Sequence, residues 1–303
     1  MSTIIATNLT KDYSRVRALA GVDLAVKEGE VFGFLGPNGA GKTTFIKILL
    51  GLVFPTAGGI SVFGSPAGNT AARKRIGYLP ENMRLQGFLK GREFLDLSGK
   101  LYGLSREVRK ERADRYLKLL GLSDDAHRPL REYSKGMLQR VGIAQALMHN
   151  PDMLLLDEPT SGLDPIGAKE IRDIILAEKW RGKTIFINSH LLSEVERTCD
   201  RVAILNHGKL IKVGKLDALS TRRATILMEV AEKSEKLHEA LARVAEQVQV
   251  KDNTYIITPK DDQTMALIPG IIVETGARMI SIREDRESLE DIFLGAIKQE
   301  GTK

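Results

Sequence analysis

The segment "GPNGAGKTT", residues 36–44, constrains the fold more than any other stretch of this chain. Gly36, Gly41, Lys42 and Thr43 fit the pattern G-x-x-x-x-G-K-[ST], between an apolar run, "VFGFL", and a helical stretch, "TTFIKILLG". Glycines let the backbone turn tightly enough to direct several N–H groups at one phosphate, and the N-terminus of the helix adds its dipole. We therefore predict a nucleotide-binding loop in which Lys42 reaches the β- and γ-phosphates and the Thr43 hydroxyl binds Mg²⁺.

A second predicted element supplies carboxylates. The run "MLLLDE" reads as a short buried strand that ends in Asp157 and Glu158. Two acidic residues at a strand end are common, but together with a phosphate loop they have a chemical use. Asp157 is then expected to hold Mg²⁺, and Glu158 to act as general base for the attacking water.

The remaining pattern of residues 1–220 predicts an α/β core. "GKTIFINSH" is another buried strand, and strands that alternate with helices indicate a largely parallel sheet. Residues 84–150 read as mostly helical, with Ser105 as one N-terminal cap. In "YSKGMLQR", Lys135 and Gly136 stand in front of a predicted helix.

The pattern changes after about residue 220, where a separate domain, residues 221–303, is predicted. Its elements are a strand (224–230), a helix (234–247), a strand pair across Asp252 and Asn253, a further helix, a strand (279–284) and a last helix from Glu287. The order is close to βαββαβ, which is typical of a small α+β domain of the ferredoxin-like kind.

Composition excludes several classes of protein but names no function. The 303 residues are 43% hydrophobic and 28% charged, as in ordinary globular proteins. No window approaches the roughly 18 consecutive apolar residues of a membrane span, and "MSTIIATNLT" has no features of a secretory signal. Cys199 is the only cysteine, so no internal disulfide forms. The net charge of +6 is not clustered, and no nucleic-acid partner is expected.

The order of these motifs resembles the ATP-binding subunits of ABC transporters throughout residues 1–220. The resemblance implies a P-loop core of the ABC ATPase type, with an antiparallel β subdomain and a helical subdomain at residues 84–150. The motifs that carry it are Gly36 to Thr44 (Walker A), "YLPEN" (Q-loop), "YSKGMLQR" (signature), "LLLDEP" (Walker B), "SGLD" (D-loop) and "INSH" (switch histidine).

The resemblance assigns a role to each predicted site residue. Glu158 and His190 are catalytic, and Thr43, Glu81 and Asp157 bind Mg²⁺. The residues that bind ATP are Tyr13, which stacks on adenine, with Gly36, Asn38, Gly39, Gly41, Lys42, Thr43, Thr44, Ser134, Gly136 and Asp164.

Two residues depart from the family pattern. Glu81 stands where most members have Gln, which adds a negative charge and removes an amide donor. Lys135 replaces a glycine of the signature, while Ser134 and Gly136 are retained. Both departures resemble the residues found in bacterial subunits that energise drug, lipid or peptide exporters. The closing segment "SLEDIFLGAI" is similar to the C-terminal segment of the same subunits.

The resemblance implies a motor subunit that hydrolyses ATP at two composite sites of a head-to-tail dimer. The partners would be a second copy or a homologous subunit, and an integral membrane permease that holds the chain on the cytoplasmic face of the cell membrane. The alternative is an ABC-type ATPase that acts on DNA or ribosomes without a permease. No N-K-x-D element supports a GTPase, and fewer than a hundred residues separate Gly41 from Ser134, too few for the coiled coil of DNA-repair relatives.

Overall fold

The computed structural model describes residues 1–83, 85–219, 225–261, 263–285 and 288–300. The chain divides into two compact units, Met1–Leu216 and Asp217–Lys303. The sequence-based boundary at residues 220 and 221, strand residue 224 and the helix start at Glu287 lie outside the described residues. The boundary therefore stays a prediction.

The strands of the described residues are β1 (Ser2–Tyr13), β2 (Val16–Lys27), β3 (Val31–Leu35), β4 (Ala57–Val62), β5 (Ser65–Pro66), β6 (Ile76–Leu79), β7 (Met153–Asp157), β8 (Thr184–Asn188), β9 (Arg201–Asn206), β10 (Lys209–Lys215), β11 (Thr225–Val230), β12 (Ala245–Lys251), β13 (Thr254–Pro259) and β14 (Met279–Asp285).

The helices are α1 (Lys42–Leu49), α2 (Thr70–Arg73), α3 (Gly91–Leu101), α4 (Arg106–Leu119), α5 (Lys135–Leu147), α6 (Pro165–Trp180), α7 (Leu192–Thr198), α8 (Leu216–Leu219), α9 (Glu235–Val244), α10 (Thr264–Thr275) and α11 (Leu289–Glu300), with a 3-10 turn at Leu130–Glu132.

The first unit is built on a six-stranded sheet in the order β10-β9-β3-β8-β7-β6. Strands β6, β7, β8, β3 and β9 are parallel, and β9 and β10 form an antiparallel hairpin. The apolar runs of β3, β7 and β8 are buried along their whole length, as a strand covered on both faces requires. Because parallel strands end at one edge of a sheet, the segments that follow these three strands meet there. The predicted α/β core is confirmed.

A second, antiparallel sheet, in the order β2-β1-β4-β5, shares its core with the first. Leu9 and Leu19 from this sheet belong to the same buried cluster as Phe34, Phe45 and Phe186. The rings of Phe34 on β3 and Phe45 on α1 lie 4.8 Å apart, within the range of favourable aromatic pairs. The two elements that flank the loop, β3 and α1, are therefore packed firmly against each other.

Helices α3, α4 and α5 lie within the segment 84–150 that was predicted to be mostly helical, and Ser105 caps α4 by accepting the N–H of Val108 at 3.4 Å. One boundary differs from the sequence interpretation. Helix α5 begins at Lys135, so Lys135 and Gly136 lie inside the helix and not in front of it. The reason is Ser134, whose hydroxyl oxygen accepts the N–H of Met137 at 3.2 Å and so caps the helix one residue earlier.

The second unit has the predicted element order, β11-α9-β12-β13-α10-β14, with an antiparallel sheet in the order β12-β13-β11-β14. Its core includes Met228, Tyr255 and Leu237. Helix α9 is shorter than predicted and ends at Val244, because Ala245 is extended and Val248 pairs with Ile257 on the next strand. No helix in the described parts of the chain combines the length and hydropathy needed to cross a membrane.

Candidate active site

The predicted phosphate loop joins β3 to α1 at the carboxyl edge of the central sheet. Gly39 and Gly41 have positive φ values of 81° and 108°, which glycine adopts without strain. A Cβ on Gly41 would lie 2.2 Å from the Ala18 carbonyl oxygen, and one on Gly36 would lie 2.3 Å from that of Leu205. These contacts with β2 and β9 leave no room for side chains, so the loop is held in one shape.

Lys42 is the cation of this loop and is only 8% exposed. Its Nζ donates to the carbonyl oxygens of Gly36, at 2.7 Å, and Pro37, at 3.2 Å. Burial lowers the pKa of the Lys42 ammonium, whereas the carboxylates of Glu158 and Asp157 act in the opposite direction. The side chains of Asn38 and Thr43 are exposed on the same loop, and that of Thr44 is half-buried.

Asp157 ends β7 beside the end of β8 and is 2% exposed. Asn188 Nδ2 donates to Asp157 Oδ1 at 2.5 Å. Burial raises the pKa of the Asp157 carboxyl, and the bond from Asn188 only partly offsets this. Sequence reasoning did not assign Asn188 to the site. The available signal was its position as a polar residue at the end of a buried strand.

Glu158 follows β7 and has a backbone conformation that residues other than glycine rarely adopt. Its φ is 53°, in a region that costs a non-glycine residue roughly 1–2 kcal/mol. The Glu158 N–H donates to the Asn188 carbonyl oxygen at 2.8 Å, and the Glu158 carbonyl oxygen accepts from Gln139 Nε2 at 3.1 Å. These bonds to β8 and α5 hold the residue in place, and its side chain is buried.

The two residues predicted to be catalytic lie together. His190 Nδ1 is 2.8 Å from Glu158 Oε2, and the histidine side chain is 54% exposed while the glutamate side chain is 8% exposed. An exposed imidazole thus lies over a buried carboxylate at the sheet edge that carries the phosphate loop.

Glu81 follows β6 and belongs to the same cluster. Its carboxylate contributes to the raised pKa of Asp157 and opposes the lowering of the pKa of Lys42. It also acts on Tyr78, where burial raises the pKa of the phenol to about 12. The structure therefore brings Lys42, Glu81 and Asp157 within electrostatic reach of one another.

Tyr13 lies at the tip of the β1–β2 hairpin, where it pairs with Val16. Its ring is exposed, and the Lys11 ammonium lies 4.9 Å from the ring centroid. Strand β2, the second strand of this hairpin, brings the Ala18 carbonyl against Gly41. Tyr13 is therefore on the hairpin that contacts the phosphate loop, where an aromatic ring can stack on a base.

Ser134, Gly136 and Asp164 form a second group. A Cβ on Gly136 would lie 3.2 Å from Leu163 Cδ2, and one on Gly162 would lie 2.2 Å from Lys135 Nζ. Asp164 Oδ1 accepts the N–H of Gly167 at 2.7 Å, so Asp164 also caps α6. Among the described residues, the start of α5 is thus grouped with the D-loop, Ser161–Asp164, an association that sequence reasoning did not predict.

The donor set at the sheet edge fits Mg²⁺. In the described part of the chain, Asn188 Oδ1 is buried without a hydrogen-bond partner, next to the buried carboxylate of Asp157. Mg²⁺ keeps several waters and binds one or two carboxylates together with phosphate oxygens, and a bound water could donate to such an orphaned oxygen. No group of three or more His, Cys, Asp or Glu side chains among the described residues forms a metal site alone.

The structure has the features of a P-loop ATPase core. These are a parallel sheet with a phosphate loop at its carboxyl edge, an acidic strand end beside that loop, and an antiparallel sheet over α1. The family model of the ABC transporter matches residues 19–161. The chain is 42% identical to an uncharacterized ABC transporter ATP-binding protein of Nostoc sp. (strain PCC 7120), across 99% of this chain and 91% of that protein. The chain belongs to the family of ABC transporter ATP-binding proteins.

Two further relatives refine this result. The chain is 38% identical to the bacitracin transport ATP-binding protein BcrA of Bacillus licheniformis, across 98% of both chains. A solved dimeric ATP-binding cassette, in a post-hydrolysis state with ADP and Pi, is 29% identical with a TM-score of 0.66, and the match covers 70% of this chain and 98% of that one. The predicted family and the ABC ATPase fold are confirmed.

Proposed function

We propose that this chain is the ATP-hydrolysing motor subunit of an ABC exporter, and that it works as a head-to-tail dimer on a separate membrane permease. The observation that carries the proposal is the cluster at the sheet edge, where Lys42, Asp157 and the Glu158–His190 pair meet. These groups match the needs of phosphoryl transfer to water, which are a cation for the phosphates, a metal-holding carboxylate and a base.

Each residue has a distinct part in this proposal. The loop amides and Lys42 bind the triphosphate, whose oxygens would replace the carbonyls of Gly36 and Pro37 as acceptors for the ammonium. Thr43, Glu81 and Asp157 would hold Mg²⁺, which neutralises charge on the phosphates. Glu158 orients and deprotonates the attacking water, and His190 contacts the γ-phosphate beside it.

The second group of residues supports a two-chain site. Ser134 is exposed at the start of α5, where the helix N–H groups offer a site for an anion. The phosphate loop of the same chain would already surround a bound triphosphate with its own amides. Ser134, Gly136 and Asp164 are therefore proposed to bind the ATP held by the second copy, and Tyr13 to stack on the adenine of its own.

The permease is proposed to contact the region after Glu81. Phe88 and Leu101 are large apolar side chains exposed in this region. Large apolar side chains exposed to solvent can serve as contacts at a protein interface. The permease would hold the chain on the cytoplasmic face of the cell membrane. The similarity to a bacitracin transport ATP-binding protein supports export as the direction.

Co-expression with a candidate permease, an integral membrane protein, tests this proposal. The chain should purify with that protein from detergent extracts, and Phe88→Ala with Leu101→Ala should reduce its recovery without changing the Mg²⁺-dependent ATPase of the isolated chain. Trp180→Ala, at another exposed aromatic residue, is the matched control. ATPase activity stimulated by DNA or ribosomes, without binding to the membrane protein, would favour the alternative function.

A further inference from the structure

One buried polar side chain on α5 has no role in the proposed site. Gln139 is 6% exposed, and Ile143, one turn later on the same face of the helix, is apolar and buried. A buried amide requires a hydrogen-bond partner. Gln139 Nε2 donates to the carbonyl oxygen of Glu158 at 3.1 Å, across nineteen positions of sequence.

Glu158 is a residue whose backbone needs support. Its φ of 53° lies in the left-handed region, and it stands at the end of a buried strand. Such conformations persist only where the surrounding structure fixes them, and they concentrate at functional sites. The N–H of Glu158 donates to the Asn188 carbonyl oxygen, and the carbonyl oxygen of Glu158 accepts from the Gln139 amide. These two hydrogen bonds hold the backbone of Glu158 on both sides.

The carbonyl oxygen of Glu158 also accepts the N–H of Ser161 at 3.2 Å. This bond closes the local turn after β7, and the bond from Gln139 attaches that turn to α5. Loss of the Gln139 amide should therefore leave the turn folded while the backbone of Glu158 is no longer fixed to the helix.

We propose that Gln139 is a positioning residue that sets the carboxylate of Glu158 through its backbone and couples it to the signature segment. The proposal rests on the function proposed above, in which Glu158 is the general base. Gln139 lies five residues after Ser134 on one helix, about 7.5 Å along its axis. A shift of α5 when Ser134 and Gly136 engage the second copy's nucleotide is therefore transmitted to the base of its own chain.

Gln139→Met tests the role of the amide, because methionine has a similar length and no donor. Misplacing a catalytic group by about 1 Å can cost around 10²-fold in rate. We expect kcat for ATP to fall about tenfold or more, with KM and the unfolding midpoint unchanged. Gln139→Glu, which places an acceptor opposite the Glu158 carbonyl, should lose turnover to a similar extent. Gln145→Met, half-buried on the same helix, is the matched control and should retain full turnover.

A double variant separates positioning from a general structural effect. In the Glu158→Gln background, single-turnover hydrolysis should not fall further when Gln139→Met is added, because the group being positioned is already gone. An equal further loss in that background, a raised KM or a lowered unfolding midpoint in Gln139→Met would overturn the proposal. Normal turnover of Glu158→Gln alone would instead reject Glu158 as the base, which is a failure of the proposed function.

Discussion

His190 Nδ1 and Glu158 Oε2 are 2.8 Å apart, although the residues come from the ends of different strands. Strands β7 and β8 pair in parallel with Asp157 opposite Asn188, so the residues just after each strand meet. The contact joins a buried carboxylate to an exposed imidazole that a nucleotide can reach. Because the two side chains are in contact, the effects of substituting them should be coupled and not additive.

Glu158→Gln should reduce ATP turnover by about 10² to 10⁴, the usual loss when a general base is removed. Binding of ATP should stay near normal, because Lys42 and the loop amides are unchanged. Single-turnover hydrolysis and titration with a fluorescent nucleotide measure the two quantities. Turnover close to that of the wild type would place the base elsewhere, and His190 would be tested next.

Asp157→Asn should stabilise the nucleotide-free protein at neutral pH while it abolishes hydrolysis. Burial raises the pKa of the Asp157 carboxyl, so the folded chain holds that proton more tightly than the unfolded chain. The resulting stability is present below the ordinary carboxyl pKa and is lost as pH rises through the raised value. The amide of Asp157→Asn does not titrate, so the variant does not lose this stability as the pH rises.

Urea unfolding between about pH 4 and pH 8 measures this effect. The free energy of unfolding of Asp157→Asn, minus that of the wild type, should increase with pH. Asp124→Asn, at an exposed carboxylate, is the control for removing a carboxylate that is not buried. A difference for Asp157→Asn that falls with pH would contradict the assigned direction of the pKa.

The sequence predicted those parts of the site that depend on local pattern. The glycines around Lys42, the apolar runs before Asp157 and Asn188, and the order of elements in the second unit all follow from short stretches of residues. The bond between Gln139 and Glu158 was not predicted. It depends on how α5 packs against the end of β7, and no local periodicity encodes that.

The start of α5 is a different case, because its signal, a serine cap, is local. A lysine and a glycine are poor guides to where a helix begins, whereas the bond from Met137 N–H to Ser134 Oγ decides it. The left-handed backbone of Glu158 was also missed, because residues other than glycine rarely adopt it. The Ser134 cap is a local signal, whereas the backbone of Glu158 is held by bonds to Asn188 and Gln139 that form only in the folded chain.

Lys42→Ala should weaken ATP binding itself. The ammonium is the cation of the phosphate loop, and no neighbouring residue of the loop segment 36–44 carries another positive charge. We expect at least a tenfold rise in the dissociation constant for ATP, measured by equilibrium titration. Lys47→Ala, at an exposed position on the same helix, is the control and should bind as the wild type does. Equal binding by both variants would rule out Lys42 as the main phosphate contact.

A chain that ends at Leu219, after α8, should bind ATP as the full chain does. The residues that we assign to nucleotide binding all precede this point, and the first compact unit ends at Leu216. Circular dichroism and nucleotide titration compare the two chains. A shortened chain that is folded but does not bind ATP would place the proposed domain boundary wrongly, and part of the site would then lie in the second unit.

Gly136→Asp should prevent ATP-dependent dimerisation without affecting ATP binding by the monomer. In the Glu158→Gln background, which preserves ATP, light scattering should show a dimer on addition of ATP. A carboxylate at Gly136 would oppose the phosphate of the second copy, and a like-charge contact is unfavourable. Gly136→Ala is the matched control, because its Cβ would lie 3.2 Å from the movable tip of Leu163, which tolerates it after a small shift. The alanine variant adds size without charge and should therefore retain more ATP-dependent dimer than the aspartate variant. If Gly136→Asp instead lost ATP binding in the monomer as severely as Lys42→Ala, the signature would act on the nucleotide of its own chain, and the two-chain site would be wrong.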